Sequence, residues 1–230
     1  MGLSWGWGYF FTQSIFEKYN IDSKSLKWLF IGLFVASWIG AKVFFLWFSS
    51  GPKIYQYIYA NYFWLGGGFV FYGGLLLGLA YFFFHSMVLK KFPIENSKYL
   101  LPGLVFGHAI GRVGCFLTGC CYGAITDSAM ALTIKGEHRF PVQAYEAIAL
   151  FFIGMAVLNM LKRQVKNSKV VVSYLISYSV VRFFLEYLRG DEVRGFIFWN
   201  LSTSQVVSLS ILLLSIAYLI FNSLSSNRDN

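Results

Sequence analysis

Five side chains that hydrocarbon disfavours sit within apolar stretches of this chain: Lys42, Tyr72, Arg112, Glu146 and Arg182. An arginine at the centre of a membrane helix costs about 2.5–3.5 kcal/mol on insertion scales, so each predicts a partner and a function. In "YSVVRFFLE", Tyr178, Arg182 and Glu186 fall at i, i+4 and i+8, one stripe of a helix. Arg182 and Glu186 could simply neutralise each other, but the order is the weaker one and Arg112 would be left without a partner. An anion held between Arg112 and Arg182 answers both points. The planar guanidinium fork grips phosphate oxygens in two places and stays charged in an apolar setting. The anion at hand in a bilayer is a phospholipid headgroup.

The glycines and cysteines near these charges divide by chemistry. In "GGGFVFYGGLLLG", Gly74 and Gly78 have the small-xxx-small spacing of close helix packing, whereas Gly66 to Gly68 and Gly73 suit a backbone that a headgroup can approach. Cys115, Cys120 and Cys121 are too close in sequence to staple a fold. With His108 they could be imagined as metal ligands, but the spacing matches no standard site and the adjacent pair is awkward for one ion, so no metal and no cofactor are expected. His108 reads as a core histidine bonded across helices, and His85 as interfacial.

The elements that must position these groups follow from composition. Of 230 residues, 57% are hydrophobic and 13% charged, against about 25% charged in soluble domains. The net charge of +9 lies mostly in short loops, as on the cytoplasmic side of membranes, so nucleic acid is not an expected partner. Hydropathy predicts helical spans near 28–48, 68–88, 100–118, 143–161, 170–188 and 205–222. The expected fold is all-α and polytopic, with about six transmembrane helices around an outward-opening polar pocket. Residues 1–27 are expected to be a cytoplasmic or interfacial segment, 28–222 one transmembrane domain, and 223–230 a short tail.

Alternating loops carry eleven basic residues on the side of Lys18, Lys98, Lys166 and Arg228, and five on the side of Lys53, Lys135, Arg139, Arg189 and Arg194. That asymmetry puts both termini in the cytoplasm. Arg112 and Arg182 then each lie about 12 residues into outward-running spans, about 18 Å from the inner boundary. Lys42, Tyr72 and Glu146 are predicted at a similar level.

With these residues in view, "HAIGRVGCFLTGCCYG" resembles the signature segment of prolipoprotein diacylglyceryl transferases. "IGAKVFFLWF", "GGGFVFYGGLLLG", "RFPVQAYEA", "YSVVRFFLEYLRGD" and "LSTSQVVSL" resemble other segments of that family in the same order, from about residue 38 to 210. The resemblance implies a multi-pass protein of the bacterial cytoplasmic membrane. Such an enzyme moves the diacylglyceryl group of phosphatidylglycerol to the lipobox cysteine of a lipoprotein precursor. It further implies Arg112 and Arg182 on the phosphate, a proton acceptor among Tyr72, His108 and Glu146, and substrate contacts from Gly73, Gly74, Gly111, Gly114, Arg139, Gln143, Tyr145, Tyr178 and Glu186. The chain departs from the family pattern where Tyr72 replaces a histidine, Cys115 an Asn, Cys120 a Glu and Thr118 an Asn. Residues 1–27 give no convincing match to the family's first transmembrane helix. These departures leave a rival expectation, a non-enzymatic paralogue that binds phospholipid or assists membrane assembly, or a transferase with another acceptor.

Overall fold

The computed structural model describes residues 2–48, 69–190, 196–198 and 201–226, so Lys53, Gly66 to Gly68, Arg194 and Arg228 lie outside the described residues. The helices are α1 (Gly2–Lys18), α2 (Leu26–Phe48), α3 (Phe71–Phe83), α4 (Ser97–Leu117), α5 (Val142–Lys162), α6 (Asn167–Leu185) and α7 (Thr203–Ser226). A π turn, Phe84–Val88, extends α3, and short 3-10 turns lead into α4 and out of α6. Two small antiparallel hairpins complete the set, β1 (Leu132–Ile134) with β2 (Glu137–Arg139), and β3 (Phe196–Phe198) with β4 (Leu201–Ser202). Six stretches are long and apolar enough to cross a membrane: Leu26–Trp47, Phe71–Val88, Ile94–Leu117, Val142–Lys162, Asn167–Leu188 and Thr203–Leu224. They coincide with the six predicted spans. Polarity is inverted relative to a soluble protein, since Glu146 is 1% exposed while Phe152 is 66% and Phe221 74% exposed. Apolar side chains that would be misplaced in water face lipid here. The chain is a multi-pass membrane protein.

The chain divides into two units, one formed by residues 1–12 and 97–230 and the other by 13–96. In the smaller, α2 and α3 run antiparallel over glycine contacts. A Cβ at Gly74 would stand 3.0 Å from the Ser37 carbonyl oxygen, and one at Gly73 would strike Gly40 and Phe44. Packing therefore occupies Gly73 as well as Gly74 and Gly78, a role expected only of the latter two. His85 is buried, with Nδ1 3.3 Å from the Tyr81 hydroxyl. Its position on the π turn, facing α2 through Tyr81, draws it inward. Lys42 is buried too, with Nζ 3.8 Å from the centre of the Phe69 ring. A cation over an aromatic face recovers part of the lost solvation.

In the larger unit α4 is the central helix, and its start is tied to that of α6. Asn167 Oδ1 accepts hydrogen bonds from the Ser97 hydroxyl at 3.1 Å and the Lys98 backbone N–H at 2.8 Å, and Lys98 Nζ donates to the Val165 carbonyl at 2.9 Å. These satisfy amide groups that a helix start leaves unpaired. They also set the register of the two helices. Arg112 lies fifteen residues beyond Ser97 and Arg182 fifteen beyond Asn167, about 22 Å along each axis. Both arginines must therefore share a level.

Along its other side α4 carries Gly103, Gly107 and Gly111, spaced at i, i+4 and i+8, and α1 lies against them. A Cβ at Gly103 would stand 2.6 Å from the Gly8 carbonyl oxygen, and one at Gly107 3.1 Å from that of Ser4. Thr12 meets Gly103, Gly8 spans Gly103 and Gly107, and Ser4 reaches Gly107 and Gly111, so the helices are antiparallel. Trp7 stacks on Phe11 at 4.7 Å, and both meet Phe106 edge-on. From Ser4 to Thr12, α1 is thus packed along a membrane-spanning helix. Glycines, serines and polar residues such as Gln13 and Glu17 dilute its hydropathy, yet small residues are what close helix packing in a bilayer selects.

Candidate functional site

Glu146 is the focus of the larger unit. It stands four residues into α5, which packs against α4 and α6, and its carboxylate is buried between them. Oε2 lies 3.0 Å from Arg112 Nε and 3.5 Å from Arg182 Nη1, while Oε1 accepts a 2.9 Å hydrogen bond from the Tyr178 hydroxyl and lies 3.7 Å from His108 Nε2. Arg182 also pairs with Glu186 at 2.8 Å and donates to the Ser204 hydroxyl at 3.3 Å, and Arg189 approaches Glu186 at 3.7 Å. Three guanidiniums and two carboxylates thereby form one buried network. The His108 ring packs edge-on against Tyr178, with centroids 5.4 Å apart.

This arrangement changes the account of Arg112. Spacing along α6 pairs Arg182 with Glu186 and leaves Arg112 alone, but α5 brings Glu146 to both arginines. The contact to Arg112 is ionic without being a hydrogen bond, because Arg112 Nε–H makes none among the described residues despite the 3.0 Å approach. Such a pair balances charge while leaving the two-pronged geometry of the guanidinium unengaged by Glu146. Of the five positions predicted to share a level, Arg112, Glu146 and Arg182 meet in the larger unit. Lys42 and Tyr72 belong to the smaller one.

The connection from α4 to α5 is fastened around this network. The Gly123 N–H donates to the Phe140 carbonyl at 2.9 Å, the Ala124 N–H to Leu188 at 2.8 Å, and the Gly190 N–H to Tyr122 at 3.3 Å. A Cβ at Gly190 would stand 2.5 Å from Ala124 Cα, so only glycine admits this approach. Three predicted substrate-binding residues hold the same connection. Arg139 pairs with Glu137, donates to the Gly123 carbonyl at 3.2 Å and lies over the Tyr122 ring. Gln143, fully buried, donates to the Cys120 carbonyl, and the Tyr145 hydroxyl donates to the Met130 carbonyl at 2.9 Å. Gly111 sits near Ser4 at the α1 contact, while a Cβ at Gly114 would meet nothing within 4 Å.

Sequence reasoning missed Ser204, Gly123 and Gly190. Ser204 could have been found, because "STSQ" is a capping box: the Ser202 N–H donates to Gln205 Oε1 at 2.9 Å and the Gln205 N–H to Ser202 Oγ at 3.2 Å. That box fixes the start of α7 and hence the hydroxyl facing Arg182. The two glycines gave no signal, since their close approach joins segments far apart in sequence. Beside the network, the Cys121 thiol is held down to about 5 by its hydrogen bond with Cys115, aided by the positive Arg112 and Arg189, against the cost of burial.

Fold and site together define a class: a multi-pass helical membrane protein with two arginines meeting on one buried glutamate. The sequence profile of prolipoprotein diacylglyceryl transferase matches residues 1–221, and the chain belongs to that family. It is 34% identical over 171 residues to phosphatidylglycerol–prolipoprotein diacylglyceryl transferase 2 of Clostridium perfringens, covering 71% of this chain and 66% of that protein. It is 32% identical over 159 residues to the phosphatidylglycerol–prolipoprotein diacylglyceryl transferase of Clostridium tetani, covering 66% and 63%. The protein of that name from Finegoldia magna is 27% identical over 213 residues, covering 90% and 82%. The chain thus matches slightly less than two thirds of the length of the first two relatives.

Proposed function

We propose that this protein transfers the diacylglyceryl group of phosphatidylglycerol to the lipobox cysteine thiol of a lipoprotein precursor, in the bacterial cytoplasmic membrane. The observation that carries the reading is the meeting of Arg112 and Arg182, from separate helices, on buried Glu146. Family membership and the names of the relatives supply the substrates. In the reaction a sulfur–carbon bond forms as the carbon–oxygen bond to phosphate breaks, and the electron pair leaves on a phosphate oxygen with glycerol phosphate. Negative charge grows on that oxygen in the transition state. Guanidiniums already held at one level stabilise it without having to be gathered. Glu146 keeps them paired before lipid arrives.

The thiol must lose a proton, because the thiolate is the nucleophile. Glu146 suits this poorly: its carboxylate is 1% exposed and already engaged by Arg112, Arg182 and Tyr178. His108 is the better acceptor of the two. Its side chain is 29% exposed, and Nε2 lies 3.7 Å from Glu146 Oε1, so the ring is within reach of a thiol while the carboxylate is not.

Purified protein incubated with labelled phosphatidylglycerol and a lipobox peptide should yield lipidated peptide and glycerol phosphate in equal amounts. His108→Gln should retain lipid and lose most transfer; full transfer in that variant would remove His108 as the base. Lipid retention without product in the wild type would favour the non-enzymatic lipid-binding reading, which the internal pairing of both arginines also accommodates.

A further inference from the structure

At the C-terminal end of α4 three thiols come together. The Sγ atoms of Cys115, Cys120 and Cys121 all lie within 4.8 Å of one another, the sole such group of potential metal ligands among the described residues. Two local devices build it. The helix closes in a Schellman turn, with the Gly119 N–H on the Phe116 carbonyl and the Cys120 N–H on the Cys115 carbonyl, both at 3.1 Å, and Gly119 at φ +63°. That motif brings the residue after the glycine against the last helical turn, which accounts for Cys120 beside Cys115. It does not account for Cys121. The third thiol joins because Cys121 itself takes a left-handed backbone, φ +57°, unusual for a residue with a side chain.

Two sulfurs in contact could be a pair of small apolar groups or a disulfide in waiting; neither uses a third. One metal ion uses all three. A metal–thiolate bond is about 2.3 Å, so sulfurs sharing an ion in tetrahedral or trigonal geometry stand about 3.8–4.0 Å apart. The group closes to that with movements of about 1 Å or less, within reach of rotation about χ1. No carboxylate belongs to the group, so its donors are uniformly soft and disfavour magnesium or calcium. Cys120 is exposed and leaves a way in, while Cys115 and Cys121 are half-buried. Arg112 lies one turn before Cys115 on α4, and Lys135 and Arg139 lie over the Tyr122 ring, so positive groups offset the negative charge of a trithiolate.

We propose that Cys115, Cys120 and Cys121 form a binding site for one thiophilic metal ion, of the zinc–cadmium or monovalent copper class. Each thiol gives its sulfur lone pair to the ion and releases its proton to solvent, with no change of oxidation state. The test of this site does not use the transfer reaction.

Reduced protein, purified under nitrogen and freed of metal, is titrated with Cd²⁺ and separately with monovalent copper. Expected are one ion per chain, an ultraviolet thiolate-to-metal charge-transfer band, and protection of all three cysteines from alkylation, read by mass spectrometry. Each single Cys→Ser variant should bind at least roughly 10–100-fold more weakly, the loss that even an outer-sphere change produces. Alkylation protection needs no variant, so it decides the matter should a serine variant fail to fold. Full alkylation of the wild type at saturating concentrations of both ions would overturn the proposal, as would undiminished affinity in any serine variant.

Discussion

Glu146 carries more of the site than either arginine, because it forms ion pairs with both of them. Glu146→Gln keeps its shape and removes its charge, leaving two guanidiniums facing an amide in a poorly solvated interior. Removing one partner of a buried ion pair costs about 3–5 kcal/mol, so thermal unfolding in detergent should shift to markedly lower temperature. The arginines predict a different result. Arg112→Lys and Arg182→Lys keep the charge that Glu146 needs but lose the two-pronged donor set, so both variants should fold yet retain phosphatidylglycerol poorly in native mass spectrometry. Unchanged retention in both would mean that the arginines serve only the internal network. The ingredients of this site were legible in the sequence, since charge is conspicuous in a hydrocarbon stretch. Their pairing was not. The stripe of Tyr178, Arg182 and Glu186 follows from helix spacing within one element, whereas the link from Arg112 to Glu146 depends on how α5 is set against α4.

At the scale of elements, α4 is organised by its glycines, which do two different jobs. Gly103 and Gly107 admit α1, while Gly114 faces open space. Gly103→Ala would press a methyl group onto Thr12 and the Gly8 backbone, and overpacking of this kind costs about 1–3 kcal/mol. Gly114→Ala has no such obstacle and should stabilise the helix by about 0.5–1 kcal/mol. Differential scanning fluorimetry on the two variants reads the contrast. If Gly114→Ala is as stable as predicted but loses lipid transfer, the methyl group obstructs substrate, as expected of the signature segment; retained transfer would remove Gly114 from the substrate contacts. Six helices were legible from hydropathy because each is long and uniformly apolar. Helix α1 was not, since the glycines, serines and polar residues among its exposed Leu3 and Phe10 lower its mean hydropathy. The hairpins escaped notice for another reason: three-residue strands leave too short an alternation to read.

For the whole molecule, α1 would alter the topology that the loop charges imply if it crosses the membrane beside α4. The count of basic residues predicts the α3–α4 and α5–α6 connections in the cytoplasm and the α4–α5 connection outside. Because α1 runs antiparallel to α4 over Gly103 to Gly111, its N-terminus points toward the C-terminal end of α4, the end predicted to lie outside. Its seventeen residues rise about 25 Å, close to the roughly 30 Å of a bilayer core. A spanning α1 is then predicted to be followed by Lys18, Lys24 and Lys27 on the cytoplasmic side, as the positive-inside rule favours. The two termini should therefore lie on opposite faces, in contrast to the two cytoplasmic termini that six spans alone require. With the native cysteines changed to serine, single cysteines placed at Gly2, Lys135 and Lys166 separate the alternatives. An impermeant maleimide applied to intact cells should label Gly2→Cys and Lys135→Cys and spare Lys166→Cys until the membrane is opened. Labelling of Lys135→Cys alone would return α1 to the cytoplasmic side, and labelling of Lys166→Cys in intact cells would overturn the charge-based orientation itself.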